Sequence, residues 1–370
     1  MKISIRRSSL ANVIGQVQNA VSHKTTLPIL SNFLITAQDQ EITISATDLE
    51  LGMSGKVAAQ VEEPGTITLP ARKFCDMIHD FPESEIKIES KKNQMVMIEC
   101  EKSYFKIMSL PPEDFPKFPE LDEKEALSIG QGVLKEMIQL TSFSISNDTT
   151  RYALNGIFFL VKGKILRMVA TDGRRLAFIE RQLPIASGLE RSAIIPTKTV
   201  HELSKWLAQT QDSGTEAEVK IIFGENQLLF VIPNLTMFSR VIEGEFPNYE
   251  QVIPNESPHK VKFSREKFLF ATKRTSLLTS QESQSIKLEF LKDRVILSKV
   301  SPEWGEAREE VEVNNEGKEI SIGFNPYYLM DVLKALPQEE VTLEVTAADK
   351  PGVIRTPNKY TYLVLPMQIT

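Results

Sequence analysis

The 370-residue chain is poor in what covalent scaffolding and metal or nucleotide chemistry need. It has two cysteines, Cys75 and Cys100, far apart in sequence, so neither a disulfide framework nor a CxxC metal spacing exists, and a reducing compartment fits. The four histidines, His23, His79, His201 and His259, are scattered without metal-ligand spacing. His79 and His201 read as surface or packing residues. No phosphate loop of the GxxxxGKS or GxxxxGKT kind occurs, no GxGxxG follows a strand, and no GxSxG elbow appears. No stretch approaches the roughly 18 apolar residues of a membrane-spanning helix. The N-terminal "MKISIRRSSL" lacks the apolar run of a signal peptide. The expectation is a cytoplasmic chain with no cofactor, no metal and no membrane partner.

What is present is ordinary core material, with 41% hydrophobic and 25% charged residues, as in soluble globular proteins. At about 100–150 residues per domain, two or three domains are expected. The net charge of -6 argues, as an average, against a nucleic-acid partner, but a basic surface can be local.

The chain repeats itself. "ISIRRSSLANVI" (3–14) aligns with "LSIGQGVLKEMI" (127–138), and the same offset carries Ala46-Thr47-Asp48 onto Ala170-Thr171-Asp172. A third, weaker copy starts at "VKFSREKFLFAT" (261–272). The second halves also correspond: "TITLPARKFCDMI" (66–78), "AIIPTKTVHEL" (193–203) and "SIGFNPYYLMDVL" (321–333) each read as strand, turn and helix. The strands "EIKIES", "EVKIIF" and "EVTLEV" follow them in turn. Three tandem domains are expected, at 1–123, 124–256 and 257–370.

Apolar residues at helical spacing form stripes, Leu10, Val13, Ile14, Val17 and Val21 in one copy and Leu134, Met137, Ile138, Thr141 and Ile145 in the next. Phe74, Met77, Ile78 and Phe81 match Leu329, Val332, Leu333 and Leu336, and Asn325-Pro326 is a cap and first-turn pair. "EITISA", "KILRMVA" and "QLLFVI" read as strands joined by tight turns. Each domain is then two helices on antiparallel sheet, an α+β plan, with two similar halves. Arg72, Lys73, Lys135, Lys198, Lys205, Arg265, Lys267, Lys273 and Arg274 fall on or beside the polar helix faces. They are either solvated surface or a positive face shared by the helices, suited to sequence-independent phosphate contacts.

The stretch "ATDGRRLAFI" (170–179) offers one candidate for chemistry, Asp172 beside Gly173-Arg174-Arg175. A phosphate-ester hydrolase built on Asp172 with Arg174 and Arg175 needs a base, nucleophile or metal partner, and the sequence supplies no obvious one. Asp48 holds the same place in "ATDLELGM", followed by Leu49-Glu50. An aspartate kept between internal copies with different followers reads as a turn-former whose carboxylate accepts backbone N–H bonds. Gly173 then permits unusual φ and the arginines face outward. A three-domain scaffold that never touches DNA is the remaining alternative.

The threefold repeat, "TLPIL" (26–30), "LPARKF" (69–74), "RYALNG" (151–156), "ATDGRRLA" (170–177), "GEFPNYEQVIP" (244–254) and "LVLPMQI" (363–369) together resemble the bacterial sliding clamps, the β-subunit family of DNA polymerase III, along essentially the whole chain. The resemblance implies a head-to-tail homodimeric ring of pseudo-sixfold symmetry. Helices line a hole around double-stranded DNA and sheets lie outside. The chain is then a processivity factor, not an enzyme, with no catalytic residue of its own. Implied partners are the polymerase III catalytic subunit, a clamp loader, other DNA polymerases and repair proteins. The implied partner-peptide pocket uses Leu154, Thr171, Gly173, Arg174, Arg175, Leu176, Pro247, Val252, Leu363, Val364, Leu365, Pro366 and Met367. Lys24, Tyr152 and Lys198 match DNA-contacting positions. Phe105 and Ile107 are implied to meet Leu277 and Leu278 of the other copy at the ring joint, although from the residues alone all four read as ordinary core. Arg174 stands where some relatives have histidine, Gln251 where some have arginine, Asp148 where some have a neutral amide, and Ala153 where some have a second tyrosine.

Overall fold

Among the described residues, one structural unit, β-α-β-β-β, recurs six times. The computed structural model describes residues 1–370 except 23–24, 92, 120–125, 184–187, 189, 210–216 and 370. The expected boundary at 123/124, His23 and Lys24 lie outside the described residues.

The first unit is β1 (Lys2–Arg6), α1 (Arg7–Val17), β2 (Asn32–Gln38), β3 (Glu41–Thr47) and β4 (Leu51–Ala58), followed by an extra short strand, β5 (Gln60–Glu63). The second is β6 (Gly65–Pro70), α2 (Ala71–Asp80), β7 (Glu85–Ser90), β8 (Met95–Cys100) and β9 (Ser103–Met108). The third is β10 (Ala126–Gly130), α3 (Gln131–Thr141), β11 (Gly156–Lys162), β12 (Ile165–Thr171) and β13 (Arg175–Gln182). The fourth is β14 (Glu190–Pro196), α4 (Thr197–Gln209), β15 (Glu218–Phe223), β16 (Gln227–Ile232) and β17 (Leu235–Arg240). The fifth is β18 (Lys260–Ser264), α5 (Arg265–Thr275), β19 (Ile286–Phe290), β20 (Arg294–Ser301) and β21 (Gly305–Asn315). The sixth is β22 (Ile320–Phe324), α6 (Pro326–Ala335), β23 (Glu340–Glu344), β24 (Gly352–Thr356) and β25 (Tyr360–Val364).

The units interlock in pairs. The first strand of each joins the strands of its neighbour: β1 pairs with β7 and β6 with β2, β10 with β15 and β14 with β11, β18 with β23 and β22 with β19. All these ladders are antiparallel. Neither unit of a pair completes a sheet alone, so the pair is the folding domain, and three tandem α+β domains result.

The helices take their positions from the stripes read in the sequence. Leu10, Val13, Ile14 and Val17 of α1 are buried, as are Leu134, Met137, Ile138 and Thr141 of α3. Full burial of such side chains contributes about 1.5–3 kcal/mol each. Met77 of the α2 stripe is only half-buried. In the second halves strand runs into helix without the expected turn: Pro70 both ends β6 and precedes α2, and Thr197 begins α4 directly after Pro196 of β14. Asn325 caps α6 as expected, its side chain accepting from the Tyr327 N–H at 2.9 Å.

Arginines at the first helical position tie α1 to α2 and α5 to α6. Arg7 donates from Nε to Ile78 O (2.8 Å) and from Nη2 to His79 O (2.7 Å), in the last turn of α2. Arg265 bonds the last turn of α6 through Nη1 to Leu333 O (3.1 Å) and the residues just beyond it through Nε to Gln338 O (2.8 Å). These carbonyls have no helical partner of their own, and a cation there also meets the negative end of the helix. Arg265 is thus a helix-end ligand rather than a member of a free basic face. Lys267 and Arg274 likewise reach acids of β21, Glu312 at 3.4 Å and Glu309 at 2.6 Å. Arg72, Lys73, Lys198 and Lys273 are exposed. His79 and His201 are exposed as well.

Packing groups the chain into two compact units, residues 1–132 with 201–241 and 133–200 with 242–370. The first holds a five-stranded sheet, β5-β1-β7-β8-β9, and an eight-stranded one, β10-β15-β16-β17-β4-β3-β2-β6. The second holds a twelve-stranded sheet, β14-β11-β12-β13-β25-β24-β23-β18-β21-β20-β19-β22. Each compact unit contains one joint between repeats, β17 on β4 in the first and β13 on β25 in the second. No helix among the described residues is long and apolar enough to cross a membrane.

Candidate functional site

The turn that carries Asp172 is built twice. At 171–175, Asp172 Oδ1 accepts from Arg174 N (2.8 Å) and Arg175 N (3.0 Å), while Gly173 N donates to Thr171 Oγ1 (3.0 Å) and Thr171 Oγ1 to Arg175 O (2.6 Å). At 47–51 the same bonds recur: Glu50 N and Leu51 N to Asp48 Oδ1 (3.0 and 2.7 Å), Leu49 N to Thr47 Oγ1 (3.0 Å), and Thr47 Oγ1 to Leu51 O (3.0 Å). The aspartate closes a hairpin end, as the repeat implies, which removes the motive for a hydrolase centred on it. Gly173 has φ +85°, and Leu49 adopts φ +78° in its place, so the first copy sustains the left-handed conformation without glycine. A Cβ at 173 would lie 2.7 Å from Arg151 Nη1, the movable end of a side chain that donates to Asp172 O at 3.2 Å.

The two arginines part company. Arg174 is exposed, but Arg175 does not face outward as expected; only 10% of its side chain is accessible. Its Nε donates to Asp172 Oδ2 (3.1 Å) and its Nη1 to Asp331 Oδ2 of α6 (2.6 Å). The guanidinium stacks 4.4 Å from the Tyr328 ring and 5.7 Å from Phe143, which follows α3. Burial raises the Tyr328 hydroxyl above the usual tyrosine range, and Asp172 adds to the rise. Phe143, Tyr328 and Asp331 escaped the sequence reading. The available signal was the three-residue spacing of Tyr328 and Asp331, which puts both on one helix face.

Most of the implied pocket residues converge here. Arg175 and Leu176 of β13 pair with Val364 and Leu363 of β25, and Leu365 N donates to Arg174 O at 2.9 Å. Leu363 and Val364 are buried, whereas Leu365 is 41% exposed. Beyond Pro366, Met367 N bonds Gly323 O at 2.8 Å, holding the tail against β22. Leu176 and Leu363 pack with Val169 and Tyr249, and with Phe158, Phe178, Phe246 and Ile253 around them. Tyr249 therefore anchors the segment bearing Pro247 and Val252, both exposed. Arg167 secures that segment from the sheet, bonding Glu250 Oε1 and Glu180 Oε2 at 2.7 Å each; Lys359 also pairs with Glu180. Burial pushes the Glu180 carboxyl up, but Lys359 and Arg167 outweigh it and hold it below the usual carboxylate range. Leu154 is buried in the turn that begins at Tyr152, near the Arg151 link to Asp172.

The implied DNA contacts are placed in part. Lys24 lies outside the described residues. Tyr152 is 71% exposed, and Lys198 is exposed in the first turn of α4. Thr197 ties the two regions, its N and Oγ1 both donating to Asn155 O (3.1 and 2.7 Å). Asp148 bonds Thr150 and Arg151 in the same loop, and the Thr150 hydroxyl, with help from its N–H and from Arg151, holds the carboxyl down at about 2. The four residues implied at the ring joint are not core. Phe105 lies on edge strand β9 at 39% exposure, Leu277 is 75% exposed, and Ile107 and Leu278 are half-buried.

Three family models match in chain order: the DNA polymerase III β subunit N-terminal domain over residues 1–119, its central domain over 128–248 and its C-terminal domain over 250–368. A β sliding clamp of Chlamydia pneumoniae is 30% identical, the match covering 100% of this chain and 99% of the relative. The crystal structure of the Bacillus subtilis sliding clamp superposes with a TM-score of 0.94 at 31% identity, each chain covered in full. The Pseudomonas aeruginosa clamp bound to griselimycin gives 0.93 at 32% identity, covering 100% of this chain and 99% of that one. With three family models matched in chain order and full-length relatives at 30–32% identity, the chain belongs to the DNA polymerase III β-subunit family, the bacterial sliding clamps.

Proposed function

We infer that the chain is a processivity factor, a sliding clamp that tethers DNA polymerase to its template and has no catalytic activity of its own. In the fuller reading, two copies close head to tail into a ring around double-stranded DNA, a clamp loader opens it, and polymerases and repair proteins dock through a peptide pocket. The domains are those expected from the sequence, near 1–123, 124–256 and 257–370.

One observation carries the ring. The last strands of the six units are β4, β9, β13, β17, β21 and β25. Four of them pair across a joint, β17 with β4 and β25 with β13. Of the other two, among the described residues β9 pairs only with β8, and residues 305–312 of β21 pair only with β20. Each open strand has the partner type that the other supplies, so a second copy, related head to tail, satisfies both.

Sliding demands attraction without sequence reading. Exposed Arg72, Lys73, Lys198 and Lys273 on the helices suit phosphate contacts of that kind, and the net charge of -6 disfavours DNA elsewhere on the surface. Around Arg175, exposed Pro247, Val252 and Leu365 lie about the buried Leu176 and Leu363, which suits an extended peptide with hydrophobic anchors.

The test is topological. The protein is loaded with its loader onto nicked circular DNA, and the DNA is then cut once. Retention on the circle and loss from the free ends is expected; equal retention on both forms overturns encirclement.

A further inference from the structure

The third copy of the repeat departs from its sisters between α5 and β19. After α1 and α3, and the 3-10 turn that follows each, the chain uses residues 21–31 and 145–155 to reach the next strand; after α5 and its 3-10 turn it uses only 279–285. In the second copy the longer loop reaches over the hairpin turn at 171–175. Its Leu154 is buried, and its Arg151 Nη1 donates to Asp172 O at 3.2 Å. In the third copy a cavity of about 530 Å³ opens instead, between Ser280–Ser283 of the short loop and Lys299–Glu303 of the β20–β21 hairpin, with Leu278 as a further wall. Sites for small molecules commonly hold about 300–1,000 Å³.

One lining residue is a lysine where the fold uses alanine twice. The hairpins that lead into β3, β12 and β20 turn at Gln38/Glu41, Lys162/Ile165 and Leu291/Arg294, so positions along the three strands correspond. The sixth residues are Ala46, Ala170 and Lys299. Both alanines are fully buried, and Lys299 is only 3% exposed. Its Nζ donates to Ser283 Oγ, and burial pulls the ammonium below the ordinary lysine range. Burying an ammonium is costly, and the sister copies show that packing at this position is met by a methyl group. A buried amine that the fold does not require, set in a cavity, points to a ligand.

We propose that this cavity binds a small organic carboxylate, with the carboxylate on Lys299 Nζ and the Ser283 hydroxyl and the apolar part of the ligand against Leu278, Val300 and Pro302. The hydroxyl that accepts from Nζ keeps its own hydrogen to donate. Charge sets the class of anion. Glu282 and Glu303 are exposed at the mouth, so one cation stands behind two carboxylates. That arrangement repels a phosphate dianion or a nucleic-acid backbone and admits a monoanion. The apolar wall, with Val300 62% exposed, favours a ligand that carries a hydrocarbon body. Leu278 is also implied at the ring joint, but every lining residue comes from one chain. The site therefore goes beyond the ring reading, lies apart from the pocket around Arg175, and is testable whether or not the ring forms.

Calorimetric titration of the full chain with hexanoate tests the site, with 1-hexanol and inorganic phosphate as controls. Hexanoate is expected to bind once per chain, about tenfold or more tighter than hexanol, since a charge-assisted hydrogen bond separates the two. Phosphate is expected to bind more weakly than hexanoate. Lys299→Ala is expected to erase the preference for hexanoate over hexanol and to raise the urea midpoint, because alanine fills the same position in the other two copies. Lys299→Met keeps the aliphatic stem without the charge and is expected to erase the preference as well, so the result does not hang on one variant's packing. Equal affinity for hexanoate and hexanol in the parent chain, or a preference that survives in either folded variant, overturns the site. Phosphate binding tighter than hexanoate overturns the assignment to a carboxylate.

Discussion

Arg175 and Asp331 meet at 2.6 Å, joining the hairpin turn after β12 to the middle of α6. The same guanidinium bonds Asp172, so one cation fixes a turn, a helix and two aromatic rings at the wall of the proposed peptide pocket. The arrangement is rigid because Arg175 is nearly buried and its planar fork is committed to two carboxylates.

Arg175→Ala is expected to cost about 1–3 kcal/mol in urea unfolding, because it removes the cation shared by Asp172 Oδ2 and the partly shielded Asp331. Asp331→Asn is expected to cost less, since Asp172 still balances the guanidinium. A loss below about 0.5 kcal/mol for Arg175→Ala would place this cluster with ordinary surface pairs.

Gly173→Ala is expected to destabilise by about 1 kcal/mol from its left-handed backbone, plus a contribution from displacing Arg151. The displacement should vanish in an Arg151→Ala background, so a double-mutant cycle is expected to show non-additivity. Strict additivity would mean that the Cβ and the arginine do not meet.

Arg7→Ala and Arg265→Ala are expected to lose similar stability, about 1.5–3 kcal/mol each, although they sit in different compact units. Each leaves the carbonyls at its sister helix end without a charged donor. Hydrogen exchange in the last turns of α2 and α6, respectively, should rise in one variant and not the other.

Acidification is expected to loosen the segment that carries Pro247 and Val252. Glu180 has its carboxyl depressed in the folded chain by Lys359 and Arg167 against the effect of burial. A depressed carboxyl contributes stability that is present above its unfolded value, near 4.3, and is lost as pH falls through the lower folded value. Glu180→Gln should therefore flatten the acid limb of the stability–pH profile. An unchanged limb would assign the acid sensitivity to other carboxylates.

Truncating Pro366–Thr370 is expected to weaken binding of a hydrophobic partner peptide while the native mass stays that of the dimer. Tail and joint are separate: Met367 is tied to Gly323 of β22, and the open strands are β9 and β21. Unchanged peptide affinity would mean that the tail is not part of the pocket.

The sequence by itself determined the periodic features. Helical stripes, alternating strands, the Asn325 cap and the Asp48/Asp172 turn follow from local spacing and local hydrogen bonds, which neighbours in the chain supply. The threefold repeat was legible because equivalent backbones select equivalent side chains at caps and turns. What only the tertiary structure decided depends on residues distant in sequence. Arg175 looked outward because nothing near it in the chain announces Asp331 or Phe143. Arg265 reads as free surface charge because its carbonyl partners, Leu333 O and Gln338 O, belong to the next unit. Phe105 and Leu277 read as core because an apolar residue on an open edge and one in an interior strand have the same composition; among the described residues, which edges stay open is set by the long-range pairing of β17 with β4 and β13 with β25, which no local pattern encodes.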